Sequence, residues 1–171
     1  ENMRSLIMNL FFKKGMLAKR EEGETLIRTV WSLHTGLADA PAIKRTNKGK
    51  PYFDNCNIHF SISHSGDLWV CLVADFNVGV DIQLMKEGPL EAIADRFFSK
   101  YEAEAVRSNG KKEFYRIWTA REACGKYAGT GFMLPEKIDP YPVVKEVFIS
   151  SDYYCMTAAL KEETICITEI S

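Results

Sequence analysis

The sequence predicts an α+β protein built as two similar halves in one chain, related by a pseudo-twofold axis. Three observations carry that expectation. Short segments with period-2 alternation are interleaved with longer amphipathic stretches of helical period. The chain has 171 residues, 46% of them hydrophobic, enough for one compact core without metals or disulfides. The segment LWVCLVADFNVGVDI (68–82) realigns on YYCMTAALKEETICI (153–167) at an offset of 85, half the chain length, apolar against apolar at most positions. The expected halves are residues 1–84 and 85–171, packed as one unit with a cleft between them, a common place for ligand sites. Chance likeness between two amphipathic hairpins is the competing account of the repeat.

The elements follow in chain order. Gly23 to Leu37 places Leu26, Val30, Leu33 and Leu37 on one stripe, with Gly36 near the stop, and predicts a helix. After a polar, lysine-rich stretch (44–51), Ile58, Phe60 and Ile62 alternate with His59, Ser61 and Ser63, as a half-buried strand does, and His64-Ser65-Gly66 ends it. Leu68 to Ala74 is apolar throughout, Asp75-Phe76-Asn77 breaks it, and Val78, Val80 and Ile82 resume the alternation, which reads as a hairpin. Asp81 and Gln83 then share one face of the last strand while Val80 and Ile82 face the core, so two oxygen donors point the same way. Ser99-Lys100-Tyr101-Glu102 matches a capping box, opening a helix that stops near Asn109-Gly110. A second helix, Glu113 to Ala128, carries Trp118, Glu122 and Lys126 at i, i+4 and i+8 and ends at Gly129. The chain then returns to strands. In the repeat register Asp81 falls opposite Cys166, so only one of the two related hairpins brings the carboxylate.

Composition limits the function classes. No apolar run approaches the roughly 20 residues of a membrane-spanning helix, the longest lying at 68–74, and no secretory pattern precedes the first motifs. Cys56, Cys71, Cys124, Cys155 and Cys166 are odd in number, lack CxxC spacing and read as reduced thiols. A cytoplasmic protein is expected, with no membrane partner. The net charge of −1 divides into +5 over residues 1–50 and −6 over 51–171. A basic first segment suits a phosphate-bearing ligand, and a solvated face with chance clustering fits equally well. Without a nucleic-acid motif or aromatics interleaved on a basic strand, no nucleic-acid partner is expected.

Three motifs remain: FSISHSG (60–66), GVDIQ (79–83) and WTAREACGKYAGTG (118–131). In order and spacing they resemble the signatures of the Sfp-type 4′-phosphopantetheinyl transferases: a SHS turn, a GVDIE-like strand and a WxxKEAxxK helix. The resemblance extends more faintly to Gly23 to Arg28, similar to that family's GxxLxR helix, and to Gly49-Lys50-Pro51, similar to its GKP turn. About two thirds of the chain is covered.

The resemblance implies the fold of that family and transfer of the phosphopantetheine arm of coenzyme A to a serine of an apo acyl or peptidyl carrier protein, releasing 3′,5′-ADP. It implies Mg²⁺ held by Asp81 and Glu122, with Gln83 where the family often has a third acidic ligand; an amide oxygen can bind Mg²⁺ but brings no charge. Glu122 is implied as the base, or its orienter, Lys126 as the cation that meets the charge on leaving 3′,5′-ADP, and Ser63, His64 and Lys50 as contacts to coenzyme A. Lys13, Lys14, Lys19 and Arg20 are all open to a 3′-phosphate role. Each residue has a plainer alternative: an i,i+4 pair for Glu122 and Lys126, a strand-end carboxylate for Asp81, turn residues for His64 and Lys50, and core packing for Trp118. Arg121 replaces the motif's lysine, and the stretch before Gly23 is shorter than the family shows. These departures motivate the alternative of a non-catalytic module of the same fold that binds coenzyme A or a carrier. A second half that fills the place of a partner subunit makes a monomer the expected assembly.

Overall fold

The computed structural model describes residues 7–15, 20–131, 141–161 and 164–171. Its elements are β1 (Ile7–Lys14), α1 (Arg20–Thr35), β2 (Ile43–Arg45), β3 (Pro51–Phe53), β4 (His59–Ser65), β5 (Leu68–Ala74), β6 (Val78–Leu84), α2 (Leu90–Phe97), α3 (Lys100–Asn109), α4 (Lys111–Ala128), β7 (Val143–Glu146), β8 (Tyr153–Ala159) and β9 (Thr164–Glu169). One sheet has the order β4-β5-β1-β9, antiparallel apart from the parallel β1–β9 pair. A second, antiparallel throughout, has the order β6-β8-β7. β2 and β3 form a short ribbon.

Strand β5 shows how the layers stack. All seven of its residues are buried, because each face of the strand meets a different layer. Leu68, Val70, Leu72 and Ala74 pack with Val78, Val80 and Ile82 of β6 and with Cys155 and Ala159 of β8. Trp69, Cys71 and Val73 pack with Leu26, Ile27, Val30 and Trp31 of α1. On the far side, Ala123 and Cys124 of α4 cover Tyr154, Met156 and Ala158 of β8. The order of layers is therefore α1, first sheet, second sheet, α4, with large side chains such as Leu72 and Ile82 each contributing about 1.5–3 kcal/mol by burial. Phe98, Phe114 and Trp118 join α2, α3 and α4 in a separate cluster, which gives Trp118 a packing role. Ser99 and Glu102 form the reciprocal cap of α3 that the sequence predicts.

The predicted hairpin over 68–82 does not form. β5 pairs back to β4 through the turn at Gly66-Asp67, and β6 crosses to the second sheet. The reason is edge availability: β4 and β1 occupy both edges of β5, leaving β6 nothing there to pair with. The same holds at the end of the chain. β8 has β6 and β7 at its edges, so β9 crosses to β1.

A line of hydroxyl groups closes the gap between the sheets. Ser61, Ser63 and Ser65 of β4 point toward β6, and their Oγ atoms accept the amides of Val80 (3.1 Å), Ile82 (3.3 Å) and Leu84 (2.9 Å). Both strands repeat every two residues, so serines at alternate positions of one meet amides at alternate positions of the other. The edge amides of β6 are satisfied without a backbone ladder.

Candidate active site

Alternation on β6 sends Gly79, Asp81 and Gln83 toward α4. Gly79 permits the close approach: a Cβ there would stand 2.1 Å from the Ala123 carbonyl oxygen and 2.6 Å from the Tyr127 nitrogen, both fixed backbone atoms. With the helix that near, Lys126 Nζ donates to Asp81 Oδ1 at 2.7 Å. Ser63 Oγ donates to the same oxygen at 2.7 Å, and Gln83 Nε2 donates to Oδ2 at 2.9 Å. Asp81 is 2% exposed, so these three donors hold a carboxylate that water hardly reaches.

Glu122 lies one turn before Lys126 on α4, half-buried. Burial pushes its carboxyl above the usual range and the negative charge of Asp81 pushes it further, while Lys126 works in the opposite direction. Asp81, Gln83, Glu122, Lys126 and Ser63, named separately from the sequence, thus gather in one neighbourhood. Among the described residues no cluster of three or more His, Cys, Asp or Glu forms a cation site. The oxygen donors are two carboxylates and the Gln83 amide, a set that suits a hard cation such as Mg²⁺ completed by phosphate and water.

Lys126 also lines a cleft of about 200 Å³ together with Lys48, Lys50, Ser61, Gly129 and Gly131. The backbone after α4 turns back tightly over the helix here, because a Cβ on Gly125 would stand 1.9 Å from the Gly131 oxygen. Lys50 Nζ donates to Asn77 Oδ1 (2.8 Å), the Val78 carbonyl (3.3 Å) and the Tyr127 carbonyl (3.3 Å). All three acceptors are neutral, and burial lowers the ammonium to about 8. A lysine so placed gives the cleft positive charge that an incoming anion would match.

His64 is not part of this group. It is exposed and lies on the opposite face of β4 from Ser63. Strand register sets it on one rung with Trp69 of β5 and Lys13 of β1, on the side of the first sheet that α1 covers. Lys14, at the next position of β1, is exposed and pairs with Glu169 at 3.6 Å. Lys19 and the side chain of Arg20 lie outside the described residues. Arg121 turns away from Asp81 to Glu102 (2.6 Å) and lies over the Phe98 ring at 5.4 Å. Because Glu102 also caps α3, that pair fastens the cap to the helix carrying Glu122. Sequence reasoning missed the contact of Ser63 with Asp81 and the Lys50–Asn77–Tyr127 network. The SxSxS alternation was a signal for the first, because only polar residues at every second position can serve a neighbouring strand edge.

Comparison with known proteins bears on the family. Residues 77–145, which span β6 to α4 and the start of β7, match the 4′-phosphopantetheinyl transferase superfamily model. A 4′-phosphopantetheinyl transferase of Bacillus subtilis is 38% identical over 131 residues, 73% of this chain and 58% of that protein. The 4′-phosphopantetheinyl transferase Sfp of Bacillus subtilis (strain 168) is 37% identical over 131 residues, again 73% and 58%. The 4′-phosphopantetheinyl transferase gsp of Aneurinibacillus migulanus is 33% identical over 118 residues, 66% of this chain and 49% of that protein. The matched part of the chain thus spans about half the length of these relatives. With three motifs, a family model and these relatives in agreement, the chain belongs to the 4′-phosphopantetheinyl transferase superfamily.

Proposed function

We propose that this protein transfers 4′-phosphopantetheine from coenzyme A to a serine hydroxyl of an acyl or peptidyl carrier protein, with Mg²⁺ and with release of 3′,5′-ADP. The observation that carries this reading is the meeting of Asp81 from β6 with Glu122 and Lys126 from α4, beside a lysine-lined cleft to which Lys126 itself belongs. Phosphoryl transfer needs charge neutralisation, positioning and removal of a proton, and little covalent chemistry from the protein.

Asp81 and Glu122 hold the cation, with Gln83 adding its amide oxygen directly or through water; when bound, the ion neutralises pyrophosphate charge. Glu122, as the resemblance implies, accepts the proton of the carrier serine or orients the group that does. The serine oxygen forms a bond to the phosphorus nearer the pantetheine arm, and the bond from that phosphorus to the bridging oxygen breaks. Lys126 moves its positive charge from Asp81 onto the leaving 3′,5′-ADP. Lys50, whose three ammonium donors are used within the protein, contributes charge to the cleft. His64 and Lys13, on one rung of the first sheet, offer donors to a more distant coenzyme phosphate.

The strand exchange supports the two-half reading, residues 1–84 and 85–171 about a pseudo-twofold axis. β6 follows β5 and crosses into the second sheet, and β9 follows β8 and crosses into the first. Five free cysteines, three of them buried, suit a reducing cytoplasm, and a second half that fills the place of a partner subunit suits a monomer. No helix among the described residues is long and apolar enough to cross a membrane. Incubation with an apo carrier, coenzyme A and Mg²⁺ tests the function. A phosphopantetheine mass increase on the carrier is expected; none on several carriers that a known transferase modifies would refute it.

A further inference from the structure

We infer that Ser63 is a positioning residue: its hydroxyl sets the direction of the Asp81 carboxylate. The inference rests on the transfer reading for the task of Asp81 and on the hydroxyl geometry for its own. A serine hydroxyl has one proton and two lone pairs. Ser63 Oγ accepts the Ile82 amide at 3.3 Å, which occupies a lone pair, and lies 2.7 Å from Asp81 Oδ1. A carboxylate oxygen offers no proton to that bond, so the serine proton points to Asp81. The side chain is buried, at 7% exposure, and its one donor is committed inside the protein.

The neighbouring serines make the assignment testable. Ser65 accepts the Leu84 amide at 2.9 Å, the same bond across the same seam, and its hydroxyl takes no part in holding Asp81. Three serines therefore share the structural task and one of them also holds the carboxylate. Because Lys126 shares Oδ1 and Gln83 holds Oδ2, Asp81 is oriented by donors on three sides. Hydrogen-bonding partners of this kind orient a ligating carboxylate, and their loss typically weakens metal affinity about 10–100-fold.

The test titrates the full protein with Mn²⁺ in the presence of coenzyme A, reading free Mn²⁺ by electron paramagnetic resonance, for the parent, S63A, S63T and S65A. S63A is expected to weaken Mn²⁺ binding about 10–100-fold, S63T to restore most of it, and S65A to leave it near the parent value. Calorimetry of coenzyme A with chelator present is expected to give equal affinity for parent and S63A. Equal weakening by S63A and S65A would reduce Ser63 to a seam residue. A loss of coenzyme affinity in S63A without cation would make it a direct coenzyme contact. Should S63A not fold, S63C keeps the size with a weaker donor, and its expected result is the same loss; parent-like Mn²⁺ binding in S63C then overturns the inference. A parent protein that binds no Mn²⁺ overturns the transfer reading along with this one, whereas parent binding with indifferent variants overturns only the role of Ser63.

Discussion

At the scale of single residues the site is a problem of charge. Glu122 holds its proton more readily in the fold than in the unfolded chain, chiefly through burial and then through Asp81. The folded state thus binds more protons just above the ordinary carboxylate range, and stability falls as pH rises through that window. Glu122→Gln removes this cost along with the carboxylate proposed as the base or its orienter. The expected outcome is loss of transfer with a melting temperature at neutral pH equal to or above the parent, checked by thermal melts beside the carrier mass assay; retained turnover would remove Glu122 from its role. Lys50 shows the opposite sign. Its folded value of about 8 lies below the ordinary lysine range, so between the two the unfolded chain binds more protons and stability rises with pH. Urea denaturation across that window should show the rise in the parent and its absence in Lys50→Met. Much of this chemistry was legible in the sequence, because strand and helix periods alone place Asp81 with Gln83 and Glu122 with Lys126. The partners that cross between elements were not legible, since Ser63 meets Asp81 only through the packing of two sheets.

Elements are held together by two devices with measurable cost. Along the β4–β6 seam, Ser61→Ala leaves the buried Val80 amide without its acceptor, and a loss of about 1–3 kcal/mol is expected in chemical denaturation. At the β6–α4 contact, Gly79→Ala drives a methyl group into the Ala123 carbonyl and the Tyr127 nitrogen. Backbone cannot yield as a side chain does, so the cost should reach or pass the roughly 3 kcal/mol upper end of ordinary overpacking. Because the shift separates Lys126 from Asp81, transfer should fall even where the protein still folds, as the mass assay would show. The sequence predicted α1, α3, α4 and the strands at 58–63, 68–74 and 78–82, each with a clear period or cap. It did not predict β1, where Leu10, Phe11 and Phe12 lie between a mixed start and two lysines, nor α2, whose eight residues are too few for a helical period to emerge. The hairpin expected at 68–82 failed for a reason no local pattern carries: Asp75-Phe76-Asn77 signals a reversal but not which sheet receives the next strand.

Across the whole molecule, the exchange of β6 and β9 makes each sheet depend on strands from both ends of the chain. A fragment of residues 1–84 leaves β6 without β8 and β1 without β9, and it is expected to remain unfolded by circular dichroism while the full chain unfolds in one transition. A fragment with native-like strand signal and its own cooperative melt would contradict that dependence. The same exchange brings the site into being, because β6 meets both the serines of the first sheet and the helix over the second only by crossing. The central claim is that Asp81 and Glu122 hold one cation against the pyrophosphate of coenzyme A. A crystal structure of the protein with coenzyme A and Mg²⁺ tests it most directly. The account predicts one ion bound by oxygens of both carboxylates and by the pyrophosphate, with Lys126 moved from Asp81 to phosphate; an ion bound elsewhere, or a pyrophosphate lying away from both carboxylates, would contradict it.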